Sequence, residues 1–494
     1  MYGGLDIGSS NIKFSIYTHT GQLTVSSSLR YPPAAQAHRL SMETVWSAAR
    51  QVIADCAHRL PGSVKLEGFA ISACGEIITP VDEDGRALCD SMIGSAPEGG
   101  EELRRLVDRF DAAGLYQITG LLPAKRYSAV RLLWYREHTD LFRRAAGFSL
   151  VEDFIIRRLT GRSVVSYSSA SRSLLFDRMA CRWSAPLLDF AGIDPERLPV
   201  CVPSGTCAGT LLPSVAAELG LSSEVKVYTG GHDQLCNALG AGLPAPGTAF
   251  NCSGTFECIG TLLSSPAEQD AFFSQRLQIS PSFAGTDPAF VFWAPVAGAS
   301  SLDWLLRVKA GRALSRQELS CGHAALQADC TSAPSPVMAL PYFTGRNYPD
   351  AAPALQGGFL GLTHYTTDAQ LYQGLMESIV FELRLCLERM AGLGIRPERL
   401  RITGGGSRSA LWSQMRADIL GLPVEKTDDD EAGSLGCMML AAVGDGYFPS
   451  LETAAAACIR VGRVFRPDPR QEEAFAEKYQ RYLALRTCIG ASDQ

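Results

Sequence analysis

Four short stretches of this chain hold residue types that can do chemistry. The first is Asp6-Ile7-Gly8-Ser9-Ser10, followed by Lys13. Backbone N–H groups, two hydroxyls and a nearby ammonium, with no side chain at Gly8, make a cradle for phosphate. Asp6 could hold a Mg²⁺ ion that bridges phosphates. An ordinary polar hairpin turn has the same composition. The second stretch is Gly254-Thr255, also a plain turn when taken alone. Its interest lies in the pairing: two hydroxyl-bearing turns can hold a phosphate chain between them. The third is Gly230-Gly231-His232-Asp233-Gln234, at a strand-to-helix junction. The helix macrodipole there favours an ionised Asp233, and an ionised carboxylate at the mouth of a cleft can accept a hydroxyl proton. A helix N-cap is the commoner use of such an aspartate. His232 has no second ligand at zinc spacing. The fourth is Gly404-Gly405-Gly406-Ser407, where glycines let a flat, bulky ligand approach the backbone or simply make a flexible turn.

Stepping outward, the elements that must position these groups alternate strands and helices. Leu5 to Ile7 and Ile12 to Tyr17 read as a hairpin, Met42 to Leu60 as a helix, and Gly68 to Ser72 and Ile77 to Val81 as strands. From Glu101 to Leu159 the pattern is helical, broken at Gly120 to Pro123. Val225 to Thr229 reads as a strand with a helix from about His232. Ala249 to Ser253 and Phe256 to Gly260 form a second hairpin on the plan of the first, which points to an internal duplication. A strand at Leu400 to Thr403, a helix at Ser409 to Leu420, a strand at Val424 to Lys426 and a small-residue helix at Ser434 to Val443 follow.

The 494 residues suffice for two or three domains. Hydrophobic residues at 46% and charged residues at 19% exclude a disordered or fibrous chain. A net charge of −6 leaves no basic excess for a phosphate backbone, so nucleic acid is not expected as a partner. Fifteen dispersed cysteines without a CxxC pair read as reduced, mostly buried thiols. The N-terminus has no signal-peptide pattern, and the apolar run Cys437 to Val443 is far short of the roughly 20 residues that span a bilayer. The expectation is a cytoplasmic protein without membrane contact.

In this order and at these distances the four stretches resemble the FGGY family of carbohydrate kinases, over nearly the whole chain, with a xylulokinase- or gluconokinase-like layout. Gly4 to Ser10 is similar to its first phosphate motif, Ser253-Gly254-Thr255 to its second, and Thr229 to Gln234 to the loop of its catalytic aspartate. Ser168 to Asp177 looks like an insert-domain landmark, Leu340 to Arg346 like a loop of the C-terminal half, and Gly433-Ser434-Leu435-Gly436 like the last helix. The resemblance implies an α/β fold of two actin-like, ribonuclease-H-like lobes with a deep cleft between them. Residues 1–244 would bind sugar and carry the catalytic Asp, and residues 245–494 would bind ATP. It implies an ATP- and Mg²⁺-dependent kinase that phosphorylates a small sugar, ketose, polyol or sugar acid. Asp233 would be general base and touch the substrate, and Asp6 would help hold Mg²⁺. Gly8, Ser9, Ser10, Lys13, Gly254 and Thr255 would contact phosphates, and Gly404, Gly405 and Gly406 would form the adenosine site. A homodimer is compatible with the family.

The chain also departs from that pattern. Xylulokinase-like members carry Trp-Asn-Asp-x-Arg where this chain reads Ile93 to Gly99, and their Met-His pair appears here as Gly75-Glu76. Arg131 stands in place of the usual Lys. The first two changes fall where those relatives grip the sugar, so xylulose itself does not follow. Glu76 is expected either to contact the substrate or to be a plain loop carboxylate. The rival readings are a catalytically silent actin-fold sensor of sugar or nucleotide, and a nucleotide-dependent scaffold. The presence of Asp6, Asp233 and Thr255 together disfavours the sensor.

Overall fold

The computed structural model describes residues 1–32, 38–62, 64–243, 245–264, 269–286, 288–347 and 350–490. The first lobe is built on the hairpin of β1 (Tyr2–Ile7) and β2 (Asn11–Tyr17), extended by β3 (Leu23–Arg30). Helix α1 (Met42–Arg59) covers this hairpin with Val45, Ala49, Val52, Ile53 and Cys56, one apolar stripe at helical spacing. Strand β4 (Gly68–Ala73) then pairs in parallel with β1. A long insertion with its own core, including Ile78, Leu106, Leu132, Phe148 and Leu198, separates β4 from the rest of the sheet. Helix α2 (Val151–Thr160) leads back, and β5 (Cys207–Thr210) and β6 (Lys226–His232) complete six strands in the order β5-β6-β4-β1-β2-β3.

The second lobe repeats the plan. Helix α3 (Asp233–Gly240) leads into the hairpin of β7 (Thr248–Ser253) and β8 (Phe256–Leu262), followed by β9 (Gln278–Ser280), β10 (Phe290–Ala297) and helix α4 (Ala299–Ala310). Helix α5 (Asp368–Gly392), β11 (Arg399–Thr403), helix α6 (Ala410–Leu420), β12 (Val424–Thr427), helix α7 (Ala432–Gly444) and β13 (Val461–Phe465) complete it. The seven-stranded order is β9-β10-β8-β7-β11-β12-β13. Strands β7, β8, β10, β11, β12 and β13 match β1, β2, β3, β4, β6 and β5 in position and in parallel or antiparallel sense. This is the duplication that the two hairpins predict. Pro244, at the expected division between lobes, lies outside the described residues.

Two local expectations change. The helical reading of 101–159 is interrupted by a strand at Gly147–Leu150, which pairs antiparallel with Ile78–Val81. So short an apolar run has no period of its own, and its partner lies too far away in sequence to see. Strand β6 runs on through Gly230, Gly231 and His232, with a register shift against β4 between Thr229 and Gly231.

The lobes meet through α7. It is buried continuously from Ala432 to Ala442, an apolar helix all round, and it packs on β1 and on α3. Gly240 and Gly436 permit this crossing: a Cβ on Gly436 would collide with the Cys236 carbonyl, and one on Gly240 with the Ala432 carbonyl. At the far end of α7, Asp445 accepts hydrogen bonds from Tyr2 (2.6 Å) and Tyr228 (2.7 Å) and pairs with Lys226, tying the helix to the first sheet. Among the described residues no helix is long and apolar enough to cross a membrane. All fifteen cysteines are unpaired, but only six are buried, fewer than expected.

Replacing Gly436 by Ala should therefore cost about 1–3 kcal/mol through overpacking. Thermal or urea unfolding measures this, and an unchanged midpoint would show that the helices can separate without penalty.

Candidate active site

Parallel pairing of β1, β4 and β6 brings their C-terminal ends side by side. The register aligns Asp6 with Ser72 and Ser72 with Gly231, one step before His232 and Asp233. Asp6 Oδ1 accepts a hydrogen bond from Ser72 Oγ at 2.6 Å. Burial pushes the Asp6 carboxyl above its usual range, with Ser72 and Lys13 pulling the other way. Asp233 opens α3, and its Oδ1 accepts the Gln234 N–H at 2.7 Å. Burial, then the charges of Asp6 and Glu76, push Asp233 up to about 8. The helix N-terminus alone predicts an ionised Asp233, and here desolvation and two like charges outweigh it. The side chain nevertheless keeps 19% of its surface exposed, so the carboxyl is reachable. Burial and then Arg172 depress His232 to about 3. Its contact with Asp233, 3.2 Å from Nε2 to Oδ1, is therefore that of a neutral imidazole and not an ion pair.

Glu76 follows β4 in a left-handed conformation (φ 66°), a strained position for a residue with a side chain. Its Oε1 receives two hydrogen bonds from Arg172, from Nη2 at 2.6 Å and Nε at 3.1 Å. Its carbonyl accepts from Ser128 Oγ at 3.2 Å. Although burial opposes it, Arg172 leads the cations that hold the Glu76 carboxyl below its usual range. Glu76 is thus a carboxylate paired with Arg172. Arg172 also faces Gln278 Oε1 at 3.5 Å and the rings of Tyr127 and Phe292. Arg131, the other departure, donates to the carbonyls of Glu98 (2.6 Å) and Ala96 (3.2 Å). The arginine fork thereby fixes the divergent segment at Ile93 to Gly99.

The two turns differ in how they are held. In the first, Gly8 N–H donates to the Asn11 carbonyl (2.9 Å), and Ser9 and Ser10 stand exposed at the tip. Lys13 pairs with Glu431, just before α7, across the lobes. In the second, the carbonyls of Gly254 and Thr255 accept from Ala299 and Gly298 N–H (2.9 Å each), so the turn caps α4 while Thr255 stays exposed. Beneath it lies a fully buried pair that the sequence reading missed: Arg416 Nη2 donates to Glu257 Oε1 (2.7 Å) and to Ser253 Oγ (2.9 Å). The three glycines are not equivalent. Cβ atoms on Gly404 and Gly406 would run into Ser253, whereas Gly405 faces open space. Only Gly405 is glycine without a packing reason, on the side where a ligand can approach.

Asp6 offers one carboxylate, a hard oxygen donor of the kind that suits a divalent cation. A buried carboxylate raises the neighbouring Asp233, a repulsion a cation would relieve. A Cβ on Gly433 would stand 2.7 Å from Asp6 Oδ2, so α7 leaves space at that oxygen.

Comparison with known proteins agrees over nearly the whole chain. Residues 1–240 match the family model for the FGGY family of carbohydrate kinases, N-terminal domain, and residues 249–444 match the C-terminal domain of the same family. The xylulose kinase of Bacillus subtilis (strain 168) is 27% identical over 98% of this chain and 96% of its own length. The autoinducer-2 kinase of Escherichia coli (strain ATCC 8739) is 26% identical, over 97% and 93%. The crystal structure of gluconate kinase from Lactobacillus acidophilus superposes with a TM-score of 0.88 at 20% identity, covering 99% of this chain and 98% of that one. The fold is the expected α/β pair of actin-like lobes.

The raised Asp233 carboxyl has a sign that can be checked. Its folded value is about 8 against 3.8 as a model carboxylate, so the native state holds this proton more tightly between those values. Stability contributed by the protonated form is lost as pH rises toward 8. Asp233→Asn should therefore melt at a higher temperature than the wild type, by more at pH 9 than at pH 5. An equal difference at both pH values would overturn the assignment.

Proposed function

Because the chain belongs to the FGGY family of carbohydrate kinases, we propose that it transfers the γ-phosphate of ATP to a hydroxyl of a small sugar, ketose, polyol or sugar acid, with Asp233 as general base. The protein is a sugar kinase with ATP as its phosphate donor. The finer assignment rests on one observation: a reachable carboxyl at a strand-to-helix junction, held near 8 by burial and by Asp6 and Glu76. A base with that affinity takes a hydroxyl proton efficiently near neutral pH.

The remaining roles follow from position. Gly8, Ser9 and Ser10 on one lobe and Gly254 and Thr255 on the other hold the phosphate chain between two turns. Lys13 serves there once it exchanges Glu431 for a phosphate oxygen. Gly405 backs the adenosine moiety, with Gly404 and Gly406 shaping the turn around Ser253. Glu76 and Arg172 form a net-neutral pair that offers an acceptor and donors to substrate hydroxyls. Asp6 would hold Mg²⁺, directly or through water, and the ion when bound would supply positive charge against the phosphates. The sugar and Asp233 belong to residues 1–244 and ATP to residues 245–494. Fifteen unpaired thiols support a cytoplasmic setting. With Asp6, Asp233 and Thr255 all in place, a silent sensor is not favoured.

A coupled ADP-release assay over ketoses, aldoses, polyols and sugar acids tests the reading and finds the substrate. Asp233→Ala should lower kcat by about 10²–10⁴-fold while ATP still binds; full activity would remove Asp233 as the base. On the substrate so found, Glu76→Ala should raise the sugar KM and leave the ATP KM alone. An unchanged sugar KM would return Glu76 to a purely structural part.

A further inference from the structure

Glu152 is a fully buried carboxylate that none of the roles above uses. It sits in the first turn of α2, against the end of β6 that runs into Asp233. Its Oε1 accepts the Gly230 N–H at 3.1 Å. Its Oε2 accepts from Ser166 twice, from Oγ at 2.7 Å and from N–H at 3.2 Å. Ser166 Oγ lies 3.3 Å from Ser168 Oγ, and Ser168 Oγ accepts the His232 N–H at 3.1 Å. The hydroxyl protons therefore have one consistent order. Ser166 donates to Glu152, Ser168 donates to Ser166, and Ser168 is left with a lone pair for His232.

The chain of bonds ends on both sides of Gly231, at the irregularity of β6. The register against β4 shifts between Thr229 and Gly231, and Gly231 has a φ of 151°. Such a bulge re-aims the residues after it and leaves backbone groups without a ladder partner. Here Gly230 N–H is met by Glu152 and His232 N–H by Ser168. A Cβ on Gly231 would run into the Ser168 hydroxyl, so the end of β6 is pressed against the network as well as bonded to it. Burial raises Glu152 and the hydroxyl and N–H donors pull it back toward the carboxylate, which leaves it at about 7.

We propose that Glu152, directly at Gly230 and through the Ser166 and Ser168 hydroxyls at His232, is a positioning residue that sets where the Asp233 carboxylate stands. It touches neither substrate nor phosphate. The proposal rests on Asp233 being the base, and its test separates the two. Displacing a catalytic group by a fraction of an ångström to an ångström costs rate and not binding.

The test uses the full-length protein as wild type, Ser168→Ala, Glu152→Ala and Glu152→Gln. Amide hydrogen exchange at Gly230 and His232 needs no substrate. Ser168→Ala should speed exchange at His232, and Glu152→Ala at both amides, each by about tenfold or more, with Asn251 and Ile402 in the other lobe unchanged. With the best acceptor from the sugar panel, Ser168→Ala and Glu152→Ala should lower kcat by about 10–100-fold at unchanged sugar and ATP KM. Glu152→Gln, which keeps an acceptor for Gly230, should recover much of that loss. Unchanged exchange at Gly230 and His232 in both alanine variants overturns the proposal, as does a fall in kcat matched by rising KM for both substrates. Should Glu152→Ala fail to fold, Ser168→Ala decides alone. A wild type without turnover on any acceptor counts against the kinase reading on which Asp233 is the base, and the exchange result still judges the clamp.

Discussion

Gathering three carboxylates at the strand ends of one lobe is the constraint on which this molecule turns. Asp6, Glu76 and Asp233 converge where solvent is thin, and after burial the charges of the first two raise the cost of ionising the third. The surroundings divide that cost unequally. Glu76 receives Arg172 and stays ionised, Asp6 receives one hydroxyl and a nearby Lys13, and Asp233 receives a backbone N–H and a neutral histidine. The least compensated of the three is the one held near 8, and it is also reachable from outside. Pushing the affinities of neighbouring groups apart separates a fixed charge from a proton acceptor.

The duplicated frame explains how two lobes can share one site. In each sheet a hairpin pairs in parallel with a later strand, so the glycine turn of each hairpin and the end of that strand sit at the same edge. The first lobe loads this edge with acids. The second loads it with glycines and buries its charges underneath, where Glu257 and Arg416 are wholly enclosed. Removing one partner of such a pair costs about 3–5 kcal/mol, so that pair fixes the turn and the glycine strand end together. Helix α7 joins the edges, because it lies on β1 of one lobe and its preceding residue Glu431 holds Lys13.

What the sequence made legible was local. Both hairpins, the strand-to-helix junction at Asp233 and the small-residue helix are short patterns whose period or turn chemistry can be read in place. What it hid depends on pairs far apart in sequence. Lys13 and Glu431 lie 418 residues apart, and Arg172 reaches Glu76 over 96. The strand at Gly147–Leu150 reads as helix because only its distant partner makes it a strand. The raised proton affinity of Asp233 is hidden for a related reason. The macrodipole is a property of the helix alone, whereas burial and like charges belong to the assembled site. The glycine triplet reads as uniform, yet two of its members answer to Ser253 and one to open space.

The departures from the family pattern form a physically coupled set, which bears on how a sugar would be held. Arg131 takes carbonyls from the segment at Ile93 to Gly99 that replaces the usual polar run. Glu76, in place of the usual histidine, is anchored by Arg172 and, through its carbonyl, by Ser128 of the insertion. A left-handed Glu costs about 1–3 kcal/mol, and an isolated buried guanidinium costs more. Kept together, the strained carboxylate and the buried guanidinium fix one another's direction. On the proposed reading, this end of the site presents an ion pair of no net charge to the sugar.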